Sequence, residues 1–285
     1  MSRSKLLTRL ALFGLTIPVL LFIYLPIAWL VISSTSTRAE LLSKPAHWIP
    51  EAPSIQPYVD ILFPGAEASD ASKTFRPTLQ NSLLVAASVT AVSLFFGSMA
   101  AYALVRITFR FRRIVLLSIL GTRMIPEISL VIPLYVIAAQ LRILNTPYVL
   151  IATYLGFALP FTIWLMAAFF ESIPFELEDA ARIDGCSRLG ILFRVILPIS
   201  TPGLISTALF VFLLSWDEFF FALIFTSTLA AKTVPVAIAE FTGRYVVDIS
   251  GMMAGGVLAA IPPVVLALVF QRYIVRGLTA GAVKG

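Results

Sequence analysis

The sequence is poorest in the residues that build metal centres and soluble active sites. It holds one cysteine, Cys186, and one histidine, His47. An internal disulfide needs two thiols and a Cys/His zinc site needs up to four ligands, so neither can form within the chain and no metal site is expected. His47, alone beside Trp48, supports no Ser/His/Asp set, so no catalytic residues are expected. No Gly-Lys pair occurs, which excludes the G-x-x-x-x-G-K-[ST] phosphate loop. Charge is also scarce, at 13% of residues, against roughly 25% in soluble proteins.

Apolar residues take that place. Of 285 residues, 59% belong to the AVILMFWYC set, and the mean hydropathy is +0.95. The expected solvent is hydrocarbon, and the expected fold is an all-α integral membrane protein in contact with the lipid bilayer. Apolar runs of about 20 residues suffice to span, and six such runs occur, near 10–32, 82–105, 114–138, 148–170, 202–226 and 253–275. The first follows Arg3, Lys5 and Arg9 like a signal peptide, but it is too apolar for too long and no A-x-A site follows, so it reads as a true span. Pro18, Pro26, Pro126, Pro133, Pro160, Pro262 and Pro263 fall within the runs, which predicts a kinked bundle. The whole chain then reads as a single transmembrane domain, 1–285.

The net charge of +6 does not indicate nucleic acid, because the basic residues cluster at the ends of the runs. Arg3, Lys5, Arg9, Arg106, Arg110, Arg112, Arg113, Arg182, Arg188, Arg194, Arg272, Arg276 and Lys284 fall on one side. Arg38, Lys44, Lys73, Arg76, Arg142, Lys232 and Arg244 fall on the other. By the positive-inside rule both termini are cytoplasmic. The outer segment 33–81, with Pro45, Trp48, Ile49, Pro50, Pro53 and Pro57, reads as a folded-back loop with an aromatic anchor.

Segment 171–200 is too charged to span. Pro174 with Glu176, Glu178 and Asp179 marks a helix start, and Gly185 a helix end. Leu189, Leu192, Phe193 and Ile196 then recur at helical spacing opposite Arg188 and Arg194, and Pro198 closes the second helix. Two pairs of charges lie within the apolar runs, where each costs about 2.5–3.5 kcal/mol on insertion scales. Arg123 and Glu127 stand four residues apart and can neutralise each other along one helix. Asp217 and Glu218 lie inside the fifth run and can pair with Arg123 across helices. Gln80, Asn81, Tyr135, Tyr154, Trp164 and Trp216 are the polar and aromatic residues of a type that could line a path for a polar solute.

The run Asp179-Ala180-Ala181-x-x-Asp184-Gly185, followed by Phe193 and Leu197-Pro198, resembles the EAA loop of ABC importer permeases. Asp179 stands where Glu is usual, with Glu178 beside it, so either carboxylate can be the one that meets the ATPase. Arg123-Met124-Ile125-Pro126, Ile132-Pro133-Leu134-Tyr135, Leu144-Asn145-Thr146 and the ending Gln271-Arg272-Tyr273 through Gly285 are similar to the maltose-type carbohydrate permeases. Trp216-Asp217-Glu218-Phe219 resembles that family's Trp-Asn-Glu-Phe pattern, with Asp217 in place of Asn.

The resemblance implies a carbohydrate import permease in the cytoplasmic (inner) membrane of a prokaryote. Its implied partners are an ATPase dimer, a second related permease and an extracytoplasmic solute-binding protein. ATP and Mg would sit on the ATPase, with no cofactor in this chain. Glu178, Asp179, Ala180, Ala181, Asp184, Gly185, Leu189 and Phe193 would couple to it. A tail at 276–285, with Gly277, Leu278, Thr279, Gly281 and Lys284, would reach the ATPase dimer interface. Arg123, Glu127, Tyr135, Trp216, Asp217 and Glu218 would line the path. The alternative is a stand-alone ion-coupled transporter, for which Glu127, Asp217 and Glu218 would form the relay.

Overall fold

The computed structural model describes residues 3–45, 48–66, 68–242 and 247–280. Its helices are, in chain order, α1 Arg3–Thr35, α2 Arg38–Leu42, α3 Gln56–Leu62, α4 Asp70–Arg106, α5 Arg112–Gly121, α6 Glu127–Gln140 and α7 Pro147–Glu171. They continue as α8 Glu176–Ile183, α9 Arg188–Ile191, α10 Leu197–Ile199, α11 Thr201–Trp216, α12 Phe220–Phe225, α13 Val234–Glu240 and α14 Ile249–Ala280. Among the described residues four helices are long and apolar enough to cross a bilayer, and two bent pairs raise the number to as many as six. The chain forms two compact units, Met1–Arg76 with Ala237–Ile261, and Pro77–Val236 with Pro262–Gly285.

In the first unit α1 carries exposed apolar side chains, among them Phe13, Leu20, Phe22 and Leu25, as a helix surrounded by hydrocarbon does. The segment between α1 and α4 folds back on one carboxylate. Thr37 caps α2 in a reciprocal box with Glu40, and Glu40 Oε1 also accepts the N–H groups of Glu51 (2.7 Å) and Ala52 (3.2 Å). Trp48 packs edge-on against Trp29, 4.9 Å between centroids. His47 lies outside the described residues. Helix α4 begins at Asp70, not near 82, and contains Pro77.

The second unit holds the densest packing. Gly97 of α4 meets Thr162 of α7, and Gly203 of α11 meets Phe169 of α7 so closely that a Cβ would run into the ring. Only glycine lets the α4 and α11 backbones come this close to those side chains. Two apolar cores form around α7, one including Val85, Val89, Tyr154 and Phe221, the other Tyr102, Met166, Phe170, Ile191, Leu192 and Ile196.

Two expected spans are broken. The run 114–138 bends by 94° between Met124 and Glu127. Pro126 forces Ile125 into extended backbone, φ −74° and ψ 122°, because its ring clashes with a helical predecessor. Arg123 and Glu127 therefore sit on opposite sides of the bend and do not share a helix face. The run 202–226 stops at Trp216 and resumes at Phe220. Pro198 does not end the preceding segment; it lies within α10, and the chain turns by 83° at Ser200. Helix α14 continues to Ala280 instead of ending near 275, so 277–280 are helical. Gly281 and Lys284 lie outside the described residues.

Candidate functional site

Helix α8 is short, and its two neighbouring carboxylates face opposite ways. Glu178 is fully buried and lies 2.6 Å from Arg106 Nε, whose side chain is 1% exposed. Tyr102 Oη donates to Glu178 Oε2 at 3.1 Å. Arg106, the last residue of α4, also donates from Nη2 to the carbonyls of Phe170 (2.9 Å) and Ile173 (2.7 Å). Those carbonyls lie at the C-terminal end of α7, where helix acceptors lack intrahelical partners and a cation is favoured. The guanidinium carbon stands 4.0 Å above the Phe175 ring centroid. One arginine thus joins α4, α7 and α8.

The outward face of α8 is different. Asp179 is 64% exposed and accepts from Arg182 Nη1 at 2.9 Å. Ala180 and Asp184 are exposed too, while Ala181 packs inward. Gly185 ends the helix at φ +79°. Its N–H bonds the Arg182 carbonyl, and Cys186 N–H bonds that of Ala181, the paired pattern of a Schellman cap. Ser187 caps α9 by accepting Gly190 N–H. A π-helical stretch, Leu192–Ile196, follows and changes the rotation per residue. As a result the predicted stripe is split: Ile191, Leu192 and Ile196 are buried, whereas Leu189 and Phe193 are exposed.

A second constellation lies at the break between α11 and α12. A cavity of about 520 Å³ is lined by Glu127, Phe157, Phe210, Leu213, Leu214, Asp217, Glu218, Phe219 and Phe220. Glu218 makes the break possible: its carboxylate accepts the N–H groups of Phe221 (2.8 Å) and Ala222 (3.2 Å). Irregular backbone at membrane depth survives only where such groups are satisfied internally. The buried Tyr154 hydroxyl lies beside that carboxylate. Arg123 does not pair with Glu127, Asp217 or Glu218. Its Nη1 donates to the Phe157 carbonyl at 3.1 Å, and the guanidinium carbon is 6.0 Å from the Phe161 centroid.

The loop after α12 is held from two sides. Asn145, at φ 57°, accepts Ser227 and Thr228 N–H at 2.9 Å each, and donates from Nδ2 to Thr228 Oγ1 at 2.7 Å. Asn81 donates to the carbonyls of Leu229 and Lys232, and Ser82 Oγ accepts Val234 N–H. Asn81 is thus a loop clamp rather than a path residue.

Residues 93–280 match the family described as binding-protein-dependent transport system inner membrane component. The chain belongs to this family. Among its relatives, the trehalose/maltose transport system permease protein MalG of Thermococcus litoralis is 38% identical over 99% of each chain. The trehalose transport system permease protein SugB of Mycobacterium tuberculosis is 38% identical over 92% of each. A bacterial ABC transporter involved in the import of the acidic polysaccharide alginate has the same fold, with TM-score 0.78 and 23% identity over 96% of this chain and 98% of that one. The protein is therefore a multi-pass permease of an ABC importer, and ATP hydrolysis belongs to a separate subunit. The ion-coupled alternative is not favoured.

Within this permease the predicted path residues separate. Glu127, Asp217 and Glu218 come together in one cavity. Trp216 is buried, stacked on Phe212 at 5.5 Å, and Tyr135 lies 6.0 Å from the Phe225 centroid; neither lines it. Phe157, Phe210, Phe219 and Phe220 line it too, and none of them is among the predicted path residues, because phenylalanine in an apolar run carries no signal of which way it faces.

Proposed function

We propose that this permease forms half of the path by which a neutral carbohydrate is imported. A second related permease supplies the other half, a solute-binding protein delivers the sugar outside, and an ATPase dimer docks on the cytoplasmic side. The cavity carries the substrate reading: three carboxylates and four phenylalanines line it, with no lysine or arginine. Carboxylate oxygens accept hydroxyl protons and aromatic faces cover sugar rings, while an anionic solute would be repelled. Relatives named for trehalose and maltose transport support the same class.

The ATPase meets the segment from α8 to the π-helical stretch through its exposed side chains: Asp179, Ala180, Asp184, Leu189 and Phe193. Glu178 and Ala181 support that surface from beneath, and Gly185 sets the turn. Both termini are cytoplasmic, and the tail residues Gly277, Leu278, Thr279, Gly281 and Lys284 meet the ATPase dimer interface. The test is uptake by the reconstituted complex with its binding protein, comparing neutral disaccharides with a uronic-acid disaccharide. Neutral sugar uptake is expected. Uptake of the uronic acid in preference to every neutral sugar tried would overturn the substrate class.

A further inference from the structure

The contact between Glu178 and Arg106 is an expensive way to hold a short helix. Helix α8 spans Glu176–Ile183, well below the length at which a helix is stable alone. Its inward residues are Glu178 and Ala181. Apolar side chains of similar volume would fix it with less desolvation, since a buried ion pair rarely gains over a hydrophobic contact. A buried charge pair whose two members are each held by their own directed hydrogen bonds supplies something an apolar contact lacks: a fixed direction, because the guanidinium donates only in the plane of its fork and the carboxylate is oriented by its own donor.

Here the guanidinium reaches from its own helix, α4, to two others. Nε meets Glu178 of α8, Nη2 meets two carbonyls at the end of α7, and the side chain itself springs from the last residue of α4. Tyr102, one turn earlier on α4, holds the other oxygen of Glu178. An apolar surface can slide under load, whereas this joint can move only by breaking buried bonds.

We propose that Arg106 and Glu178 are the force-transmitting joint of the permease, positioning residues that make α8 move as one body with the ends of α4 and α7. This rests on ATPase docking at α8. The ATPase touches neither residue, since both are buried beneath the docking face. Tyr102 orients the Glu178 carboxylate. Loss of the joint should leave docking intact while the stroke of α8 is no longer delivered to the membrane helices.

The experiment uses the whole complex, purified through a tag on this permease and reconstituted in liposomes with its binding protein. Glu178→Gln, Arg106→Lys and Tyr102→Phe are compared with Glu171→Gln, which removes an exposed carboxylate 3.8 Å from Arg112. The readouts are ATPase retained, ATP hydrolysed with and without loaded binding protein, and sugar moved per ATP. Glu178→Gln and Arg106→Lys should retain the ATPase and its basal hydrolysis, yet move about tenfold less sugar per ATP, a loss within the usual range of site coupling. Tyr102→Phe, which removes one hydrogen bond and no charge, should show a smaller loss in the same direction, and Glu171→Gln none. Unchanged sugar per ATP in both charge-site variants would overturn the proposal. So would loss of the ATPase from all three variants, which would make the pair an assembly element. A complex that keeps its ATPase after the exposed α8 side chains are replaced would instead defeat the docking reading.

Discussion

Glu178 and Asp179 are consecutive acids on one helix, yet the first is sealed against Arg106 and the second is 64% exposed. Only Asp179 is available to a partner. Its link to Arg182 is solvent-exposed, so it adds at most about 1 kcal/mol to folding. Asp179→Ala should fold normally and bind the ATPase about tenfold more weakly, roughly 1.4 kcal/mol. Titration of detergent-solubilised permease with purified ATPase subunit measures this; affinity unchanged within twofold would remove Asp179 from the interface.

Gly185 and Gly203 are both required, for different reasons. At Gly185 there is open space around the Cα, and only its φ of +79° resists a side chain, so Gly185→Ala should cost about 1–2 kcal/mol. At Gly203 a methyl group collides with the Phe169 ring, and the crossing must open. Gly203→Ala should lower the thermal transition of the detergent-solubilised chain more than Gly185→Ala does. The reverse order would contradict this packing.

Glu218 should be less replaceable than its neighbour Asp217. Glu218→Ala strands the first N–H groups of α12 at membrane depth, where each unsatisfied group costs about 1–3 kcal/mol. Among the described residues Asp217 makes no comparable side-chain bond, so Asp217→Asn should leave folding unchanged. Yield and thermal transition of the two variants provide the comparison.

Asn145→Ala removes three side-chain hydrogen bonds from the turn between α6 and α7 and places a less tolerant residue at positive φ. Limited proteolysis should then cut the 226–233 loop faster than in wild type. An unchanged cutting rate would show that Asn81 and Ser82 hold the loop without it.

The loop between α1 and α4 should resist acid. Glu40 is held down to about 2, from an ordinary 4.5, by the Thr37 backbone N–H first, then the Thr37 hydroxyl and the N–H groups of Ala52 and Glu51. A carboxyl lowered in the folded state stabilises fully above its unfolded value and loses that contribution as pH falls through the folded one. Exchange protection at Glu51 and Ala52 should therefore hold down to pH 4.5 and fall as pH approaches 2. Glu40→Gln should reduce the protection throughout.

Much of this was legible in the sequence. The apolar runs gave the spanning segments, and Gly185 marked the turn between α8 and α9, because composition and glycine carry local signals. The breaks at Pro126 and at Asp217–Phe219 were harder to read: proline within membrane helices often only kinks them, and whether a charged pair interrupts a helix depends on who satisfies the freed backbone. The partition between Glu178 and Asp179 was not legible at all. It depends on Arg106, more than seventy positions away, and no local pattern links the two. The π-helical stretch also escaped, since a stripe at i, i+3, i+4 and i+7 assumes an unbroken α-helical rotation.

The two glycine contacts on α7 have a mechanical consequence. With Gly97 set against the Thr162 side chain and Gly203 against the Phe169 ring, the α4 and α11 backbones bear directly on α7 side chains, with no side chain of their own between. Such crossings act as welds rather than bearings, because sliding by a fraction of a turn would drive the backbone into a Cβ or a ring. Helices α4, α7 and α11 therefore form a chassis, and any alternation of access has to hinge at its borders, at Pro126 and at the interruption before Phe220, where the helices already stop.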